Sequence, residues 1–421
     1  VTQPKSVPEG WRTTRLGDIA KMVMGQSPPG STVFDHDDES NRGHSLPFIQ
    51  GTAEFGHHFP TPQKRCTQPL KTAKSGDCLI SVRAPVGDTN LADQAIAIGR
   101  GLAAVRFDRA DPSFGWYALN HAKVVLDRVA QGSTFEAIGR TELKTLPILL
   151  PPLGEQRAIA GVLDSVDEAI ERAEEVVAAT ERLRDALLHE LLTRGLPGQH
   201  SEWKEVPGLG TIPASWTVTR LGDIAEVVGG STPSRTRTEY WGGDIPWVVP
   251  SELSQLASRY LSTSRESVTI EGLRVASLRV LPVGSVLLTT RATIGLVAIN
   301  QVPVTTNQGF QCLIPNKDIY GLWLFYSISQ KKQQLERRGA GSTFREVSRD
   351  GVRTLPIALP PLEEQRAIAE VLDSVDHSIE RAREECDALR LAMKSISDAL
   401  LTGRIRTNPQ RERSYETAGT G

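Results

Sequence analysis

The chain has 421 residues, 39% of them hydrophobic and 23% charged, with a net charge of −2 at pH 7. That is the balance of an ordinary globular protein with room for two or three cores. No run approaches the ~18 apolar residues of a membrane span, and residues 1–5 show no basic-then-apolar leader, so a cytoplasmic protein is expected. The four cysteines, Cys66, Cys78, Cys312 and Cys386, have no C-x-x-C spacing, which argues against a disulfide framework or a structural zinc site.

In chain order, Trp11 and the run Leu16-Gly-Asp-Ile-Ala20 come first. A Gly- and Pro-rich stretch with short β-type runs such as 78–82 follows, then a helical pattern near 114–129 and a Gly-Ser-Thr-Phe turn at 132–135. Pro151-Pro152 introduces LGEQRAIAGVLDSVDEAIERA at 153–173, the start of a long helix. A loop is expected over 195–215. The series then repeats: Trp216, Leu221-Gly-Asp-Ile-Ala225, β-type runs at 285–290 and 296–299, and a helical pattern over 319–337. Gly-Ser-Thr-Phe returns at 341–344, then Pro360-Pro361 and LEEQRAIAEVLDSVDHSIERA at 362–382. The two long windows align at an offset of 209 and differ at four positions. A period near 200 residues excludes solenoids and propellers and marks two copies of one domain-sized unit.

Charge divides along the same lines. Residues 155–194 hold five Lys+Arg against ten Asp+Glu, and 364–401 hold five against nine. Residues 1–154 hold 17 against 15, and 195–363 hold 17 against 14. The repeated helices are acidic and the divergent stretches mildly basic.

Apolar residues in the second helix fall three and four apart from Ile368 to Leu400, and the first follows until Thr180 and Arg184 weaken its seam. Glutamates suit the positive helix start, and Gly195 and Gly403 suit a left-handed cap. At 1.5 Å per residue each helix runs about 57–60 Å. Amphipathic helices buried in a globular core are the plainer reading. The long, aromatic-free seam favours an antiparallel pair around Ile159, Val166 and Ile170 with Val371, Ile379, Met393 and Ile396. The fold expected is α+β: two mixed α/β domains separated by two long antiparallel coiled-coil helices, with pseudo-two-fold symmetry. The expected boundaries are 1–150, 151–194, 195–359, 360–404 and a disordered tail over 405–421.

No catalytic centre is legible. There is no G-x-x-x-x-G-K-[ST] loop, and Gly208-Leu-Gly210 does not open a helix. Asn408-Pro409 is only a fragment of a base-methylation motif, and Glu142-Leu-Lys144 lacks a partner carboxylate. His57-His58 with His44 read as solvated loop histidines rather than metal ligands, so no metal is expected.

Polar loops at matching places remain. Ser81-Val-Arg83-Ala-Pro-Val-Gly87 answers Thr289-Thr-Arg291-Ala-Thr-Ile-Gly295, and Asn307-Gln308-Gly309 stands where the first copy has Gly99-Arg100-Gly101. Arg suits guanine O6/N7, Asn or Gln suits adenine N6/N7, and Ser or Thr can hold phosphate. Arg83, Ser133, Thr134, Arg291, Asn307, Gln308, Ser342 and Thr343 are the candidate DNA contacts. The alternative is that the arginines brace their own loops and the Gly-Ser-Thr turns serve as caps or hinges.

Two variable domains, each followed by P-P-L-x-E-Q-R-x-I-A and a long helix, make the chain similar to the specificity (S) subunits of type I restriction-modification systems. The resemblance runs from about Trp11 to Arg404. It implies that each variable domain reads one half of an asymmetric bipartite site in double-stranded DNA, and that the helices dock two methyltransferase (M) subunits. Restriction/translocase (R) subunits would join through the complex. It also implies a subunit with no catalysis or cofactor of its own, S-adenosylmethionine, ATP and Mg²⁺ serving its partners. A stand-alone DNA-binding regulator of the same fold and a coiled-coil interaction scaffold are the competing readings.

Overall fold

A computed structural model describes residues 7–36, 43–131, 137–256, 258–339 and 345–407. The chain divides into two compact units, one of residues up to 174 together with those from 384 onward, the other of residues 175–383. Each contains one globule, the start of one long helix and the end of the other. The part of the expected tail from 408 onward lies outside the described residues.

In the first unit, Arg12–Arg15 pairs antiparallel with Pro147–Leu150, so the globule opens and closes on adjacent strands. Its main antiparallel sheet runs Ala20–Met24, Leu102–Phe107, Cys78–Ser81, Thr89–Leu91. A second sheet of five short strands contains Leu46–Ile49 and Ile96–Ile98. The helix Pro112–Gln131 packs Phe114, Tyr117, Leu119 and Leu126 into a core with Leu16, Ile80 and Val105. Because strand residues alternate faces, Ile80 and Val105 enter this core while Leu79 and Ala104 enter a separate one behind the sheet.

The second unit repeats the plan with different inserts. Thr217–Arg220 pairs with Pro356–Leu359. The main sheet runs Ala225–Gly229, Gln311–Pro315, Val286–Leu288, Val297–Asn300, Tyr260–Leu261. The helical pattern over 319–337 resolves into two helices, Gly321–Ser329 and Lys332–Arg338. The expected loop over 195–215 contains a hairpin instead, Trp203–Val206 against Gly210–Pro213. Gly208 (φ 81°) and Gly210 (φ 75°) supply its left-handed turn residues, so the glycines that suggested a loop are the means of closing a hairpin.

The long helices span Leu153–Arg194 and Leu362–Leu401, each beginning just after its Pro-Pro pair. Both are followed by a glycine with positive φ, Gly195 at 75° and Gly403 at 70°. They run antiparallel within each unit. In the second, Glu181 meets Arg383 and Arg184 meets Asp376, so advancing on one helix retreats on the other. In the first, Glu174 bonds Arg390 at 2.7 Å and Glu155 bonds Arg406.

The seam differs in detail from the expected one. Ile159, Ile170 and Ile379 are buried, and Val166, Met393 and Ile396 are partly buried. Val371 is 39% exposed, and its counterpart at the offset of 209, Val162, is 41% exposed. Leu163 and Leu372, one residue on, are fully buried among the globule cores. The apolar stripe is wider than a two-position seam because the start of each helix packs on a globule as well as on the other helix. Arg184 is no defect either. It donates to Asp376, which makes this layer polar and paired.

Two outcomes follow. Ile379→Asp leaves an unpaired charge at a site 5% exposed and should cost on the order of 3 kcal/mol, read by urea denaturation. Burial pushes the Glu155 carboxyl upward, but hydrogen bonds from Arg406 and Trp11 outweigh it and hold the pKa below the usual value. A depressed folded-state pKa gives stability that is present above the unfolded value and lost as pH falls through the folded one. Glu155→Gln should therefore narrow the difference in Tm between neutral and acid pH.

Candidate nucleic-acid interface

Strand directions bring the candidate residues to one sheet edge in each unit. In the second, Gly229 pairs with Gln311, and Val286 with Leu313 in the same antiparallel sheet. The end of Ala225–Gly229, the end of Val286–Leu288 and the start of Gln311–Pro315 therefore lie together. The loops leaving these ends carry Thr232, Arg291 and Gln308. In the first unit, Ala103 pairs with Met24 and Leu102 with Ser81, which gathers the loops bearing Ser27, Arg83 and Arg100.

The arginine loop is built alike in both. The Thr289 hydroxyl is buried and accepts from the Leu296 amide at 2.9 Å, while the Gly295 amide donates to the Thr289 carbonyl at 2.9 Å. In the first unit the Ser81 hydroxyl accepts from the Asp88 amide at 2.9 Å and donates to the Pro85 carbonyl at 2.7 Å. Ser81 and Thr289 thus brace the loop internally and are not phosphate donors. Gly87 (φ 86°) and Gly295 (φ 89°) close the loops against Lys123 and Lys332. Arg83 is exposed, and Arg291 is 43% exposed beside Glu346, with Nε 3.9 Å from Oε2.

Gln308 is exposed, and its side-chain oxygen accepts from the Thr232 hydroxyl. Arg100, also exposed, occupies the matching place, its amide donating to Ser27 Oγ at 3.4 Å. The Asn307 side-chain oxygen accepts from the Gly309 amide at 2.9 Å and so serves its own turn. Arg100, Ser27 and Thr232 were not singled out from sequence. The Gly99-Arg100-Gly101 correspondence was visible, but Ser27 and Thr232 join only through the sheet. Ser133, Thr134, Ser342 and Thr343 lie outside the described residues. In the second unit, Arg235 stacks 3.9 Å over Trp241 and 4.8 Å from Trp247, and the hydrogen bonds it donates to Glu266 strengthen its charged form.

The repeated motif has a separate task. In each unit the tryptophan opening the globule donates its indole N–H to the carboxylate in the helix's first turn, Trp11 to Glu155 and Trp216 to Glu364, both at 2.9 Å. The next residue, Gln156 or Gln365, donates to the carbonyl of Pro151 or Pro360 and accepts an amide from Asp111 or Tyr320. About two to three turns along, Tyr117 donates to Asp164 at 2.9 Å, and Tyr326 to Asp376 at 2.8 Å. Burial raises both phenol pKa values, so they remain donors. His57 is exposed, as expected of a loop histidine, whereas His58 is half-buried. They face Asp167 and Glu171 on the first helix, and His44 is not in the group. The Cys312 thiol, pushed up to about 12 by burial, is inert.

A family profile described as the type I restriction modification DNA specificity domain matches residues 8–178 and 213–386. The chain belongs to that family. It is 41% identical over 191 residues to the type I restriction enzyme MjaIX specificity subunit of Methanocaldococcus jannaschii, covering 45% of this chain and 44% of the relative. It is 24% identical over 421 residues to the MjaVIII specificity subunit of the same organism, covering 95% and 94%. The first of these matches thus spans less than half of the relative's length. Among solved structures, an S subunit of a type I system from M. genitalium aligns with a TM-score of 0.59 at 16% identity, over 95% of this chain and 98% of that one. A chain from a type I R-M system aligns at 0.61 and 20% identity, over 96% and 100%. Both share the fold. No helix among the described residues is long and apolar enough to cross a membrane.

The two edges predict separable effects. Arg100→Ala should relax base preference in one half of the site, costing about 1–3 kcal/mol against the preferred sequence. Gln308→Ala should do so in the other half only. Fluorescence anisotropy with half-site-scrambled duplexes reads both.

Proposed function

We propose that this chain is the DNA sequence-recognition subunit of a type I restriction-modification complex. Each globule reads one half of an asymmetric bipartite site in double-stranded DNA. The observation that carries this is the pairing of sameness and difference at equivalent positions. The arginine loop repeats as Arg83 and Arg291, while the neighbouring position changes from Arg100 to Gln308. Arginine favours guanine and glutamine favours adenine, so two similar edges would read two different half-sites. The mildly basic globules suit a phosphate backbone, and the acidic helices suit protein.

The helices dock two M subunits, one on each copy of the repeated surface. Val162 and Val371 support this, being apolar, matched at the offset of 209 and similarly exposed. R subunits join through that assembly. The chain itself is non-catalytic, with S-adenosylmethionine, ATP and Mg²⁺ acting in the partners, and the complex works in the cytoplasm.

Methylome sequencing of a host with and without the gene tests the reading. One asymmetric, interrupted methylation motif should vanish with the gene, and an unchanged methylome would count against it. Native mass spectrometry of the co-expressed complex should give two M subunits per chain, falling to one when Val371 is replaced by Asp.

A further inference from the structure

The helix carboxylates that face each globule are duplicated, Asp164, Asp167 and Glu171 answering Asp373, Asp376 and Glu380 at the offset of 209. In the second unit a cation from the globule meets them. Arg259, 5% exposed, lies 3.0 Å from Asp376 and 3.8 Å from Glu380 and also bonds Asp373, and Arg184 adds a second guanidinium at Asp376. In the first unit the position matching Arg184 is Met393, and the globule presents His57 and His58. The same acidic surface there faces two imidazoles.

Their geometry is that of a ligand set. His57 Nδ1 lies 3.3 Å from Glu171 Oε1, His58 Nε2 lies 3.2 Å from the same oxygen, and His58 Nε2 lies 3.4 Å from Asp167 Oδ2. One donor atom each from His57, His58 and Glu171 falls within 4.8 Å of the others. A tetrahedral ion with bonds of about 2.0–2.1 Å sets its donors about 3.3 Å apart. Asp167 and Glu171, four residues apart on a helix, share one face. The histidine loop is fixed from behind. The Leu91 amide donates to the His58 carbonyl at 2.8 Å, and Asn90 Nδ2 to the Gly56 carbonyl at 3.0 Å. The Tyr117 hydroxyl donates to Asp167 Oδ2 at 3.3 Å, the kind of outer contact that orients a ligating carboxylate.

We propose that His57, His58 and Glu171, with Asp167 as a fourth donor, bind one divalent transition-metal ion of the zinc class. The ion fastens the first globule to its helix, as Arg259 fastens the second. Two imidazoles and a carboxylate within 4.8 Å of one another, with Asp167 3.4 Å from His58, select zinc over magnesium or calcium, which take oxygen-rich shells of six or more.

The full-length chain, stripped with EDTA, desalted and titrated with Zn²⁺, should take up one ion in native mass spectrometry and gain in Tm. With Co²⁺ it should give the intense visible bands of a tetrahedral site. Glu171→Gln alters a side chain 42% exposed and should fold normally, so its Tm in EDTA should equal that of the parent in EDTA. It should bind Zn²⁺ more than about tenfold more weakly, and His58→Ala should bind none. His44→Ala should bind as the parent does. No uptake by the parent, or equal uptake by Glu171→Gln and His58→Ala, would overturn the site and leave the histidines as simple polar contacts of the helix.

Discussion

A carboxylate in the first turn of each long helix, accepting an indole N–H from the start of the globule before it, is the contact on which both units depend. Glu155 and Glu364 are buried, at 5% and 7% exposure, and a buried carboxylate is costly unless each oxygen is met. Trp11 and Arg406 meet the first, Trp216 and His200 the second. The glutamine alongside then ties the Pro-Pro turn to the head of the globule's helical region. A globule anchored at its first strand, its last strand and one helix face can vary everywhere else.

That constraint explains the pattern of repetition. Trp11, Leu16, Glu155, Gln156, Asp164 and Asp167 recur because each fills a partnered position at the junction of globule and helix. The loops at the sheet edge carry no such obligation. Arg100 can become Gln308 because only backbone contacts and a small hydroxyl, Ser27 or Thr232, hold the loop in place. The carboxylates facing the globule lie between these extremes. They recur, yet their partners differ, arginines in one unit and histidines in the other.

The sequence disclosed the long helices, their capping glycines and the two-copy plan, because helical periodicity and near-identity are local signals. It put Val371 in the seam, since an apolar residue that the fold leaves 39% exposed looks like a core residue in one dimension. It gave the 195–215 stretch as a loop because a hairpin of four-residue strands leaves almost no periodic trace. It identified Arg83, Arg291 and Gln308 as candidates but could not join Ser27 to Arg100 across 73 residues. The carboxylates beside His57 and His58 were not legible because they lie more than 100 positions away, reachable only through the fold.

The central claim is that recognition is divided between two independently anchored globules. Exchanging residues 206–359 for the corresponding domain of another family member, with its opening tryptophan retained to meet Glu364, tests it most directly. Methylome sequencing of the host should show one half of the target replaced and the other unchanged. A target altered in both halves would contradict the account.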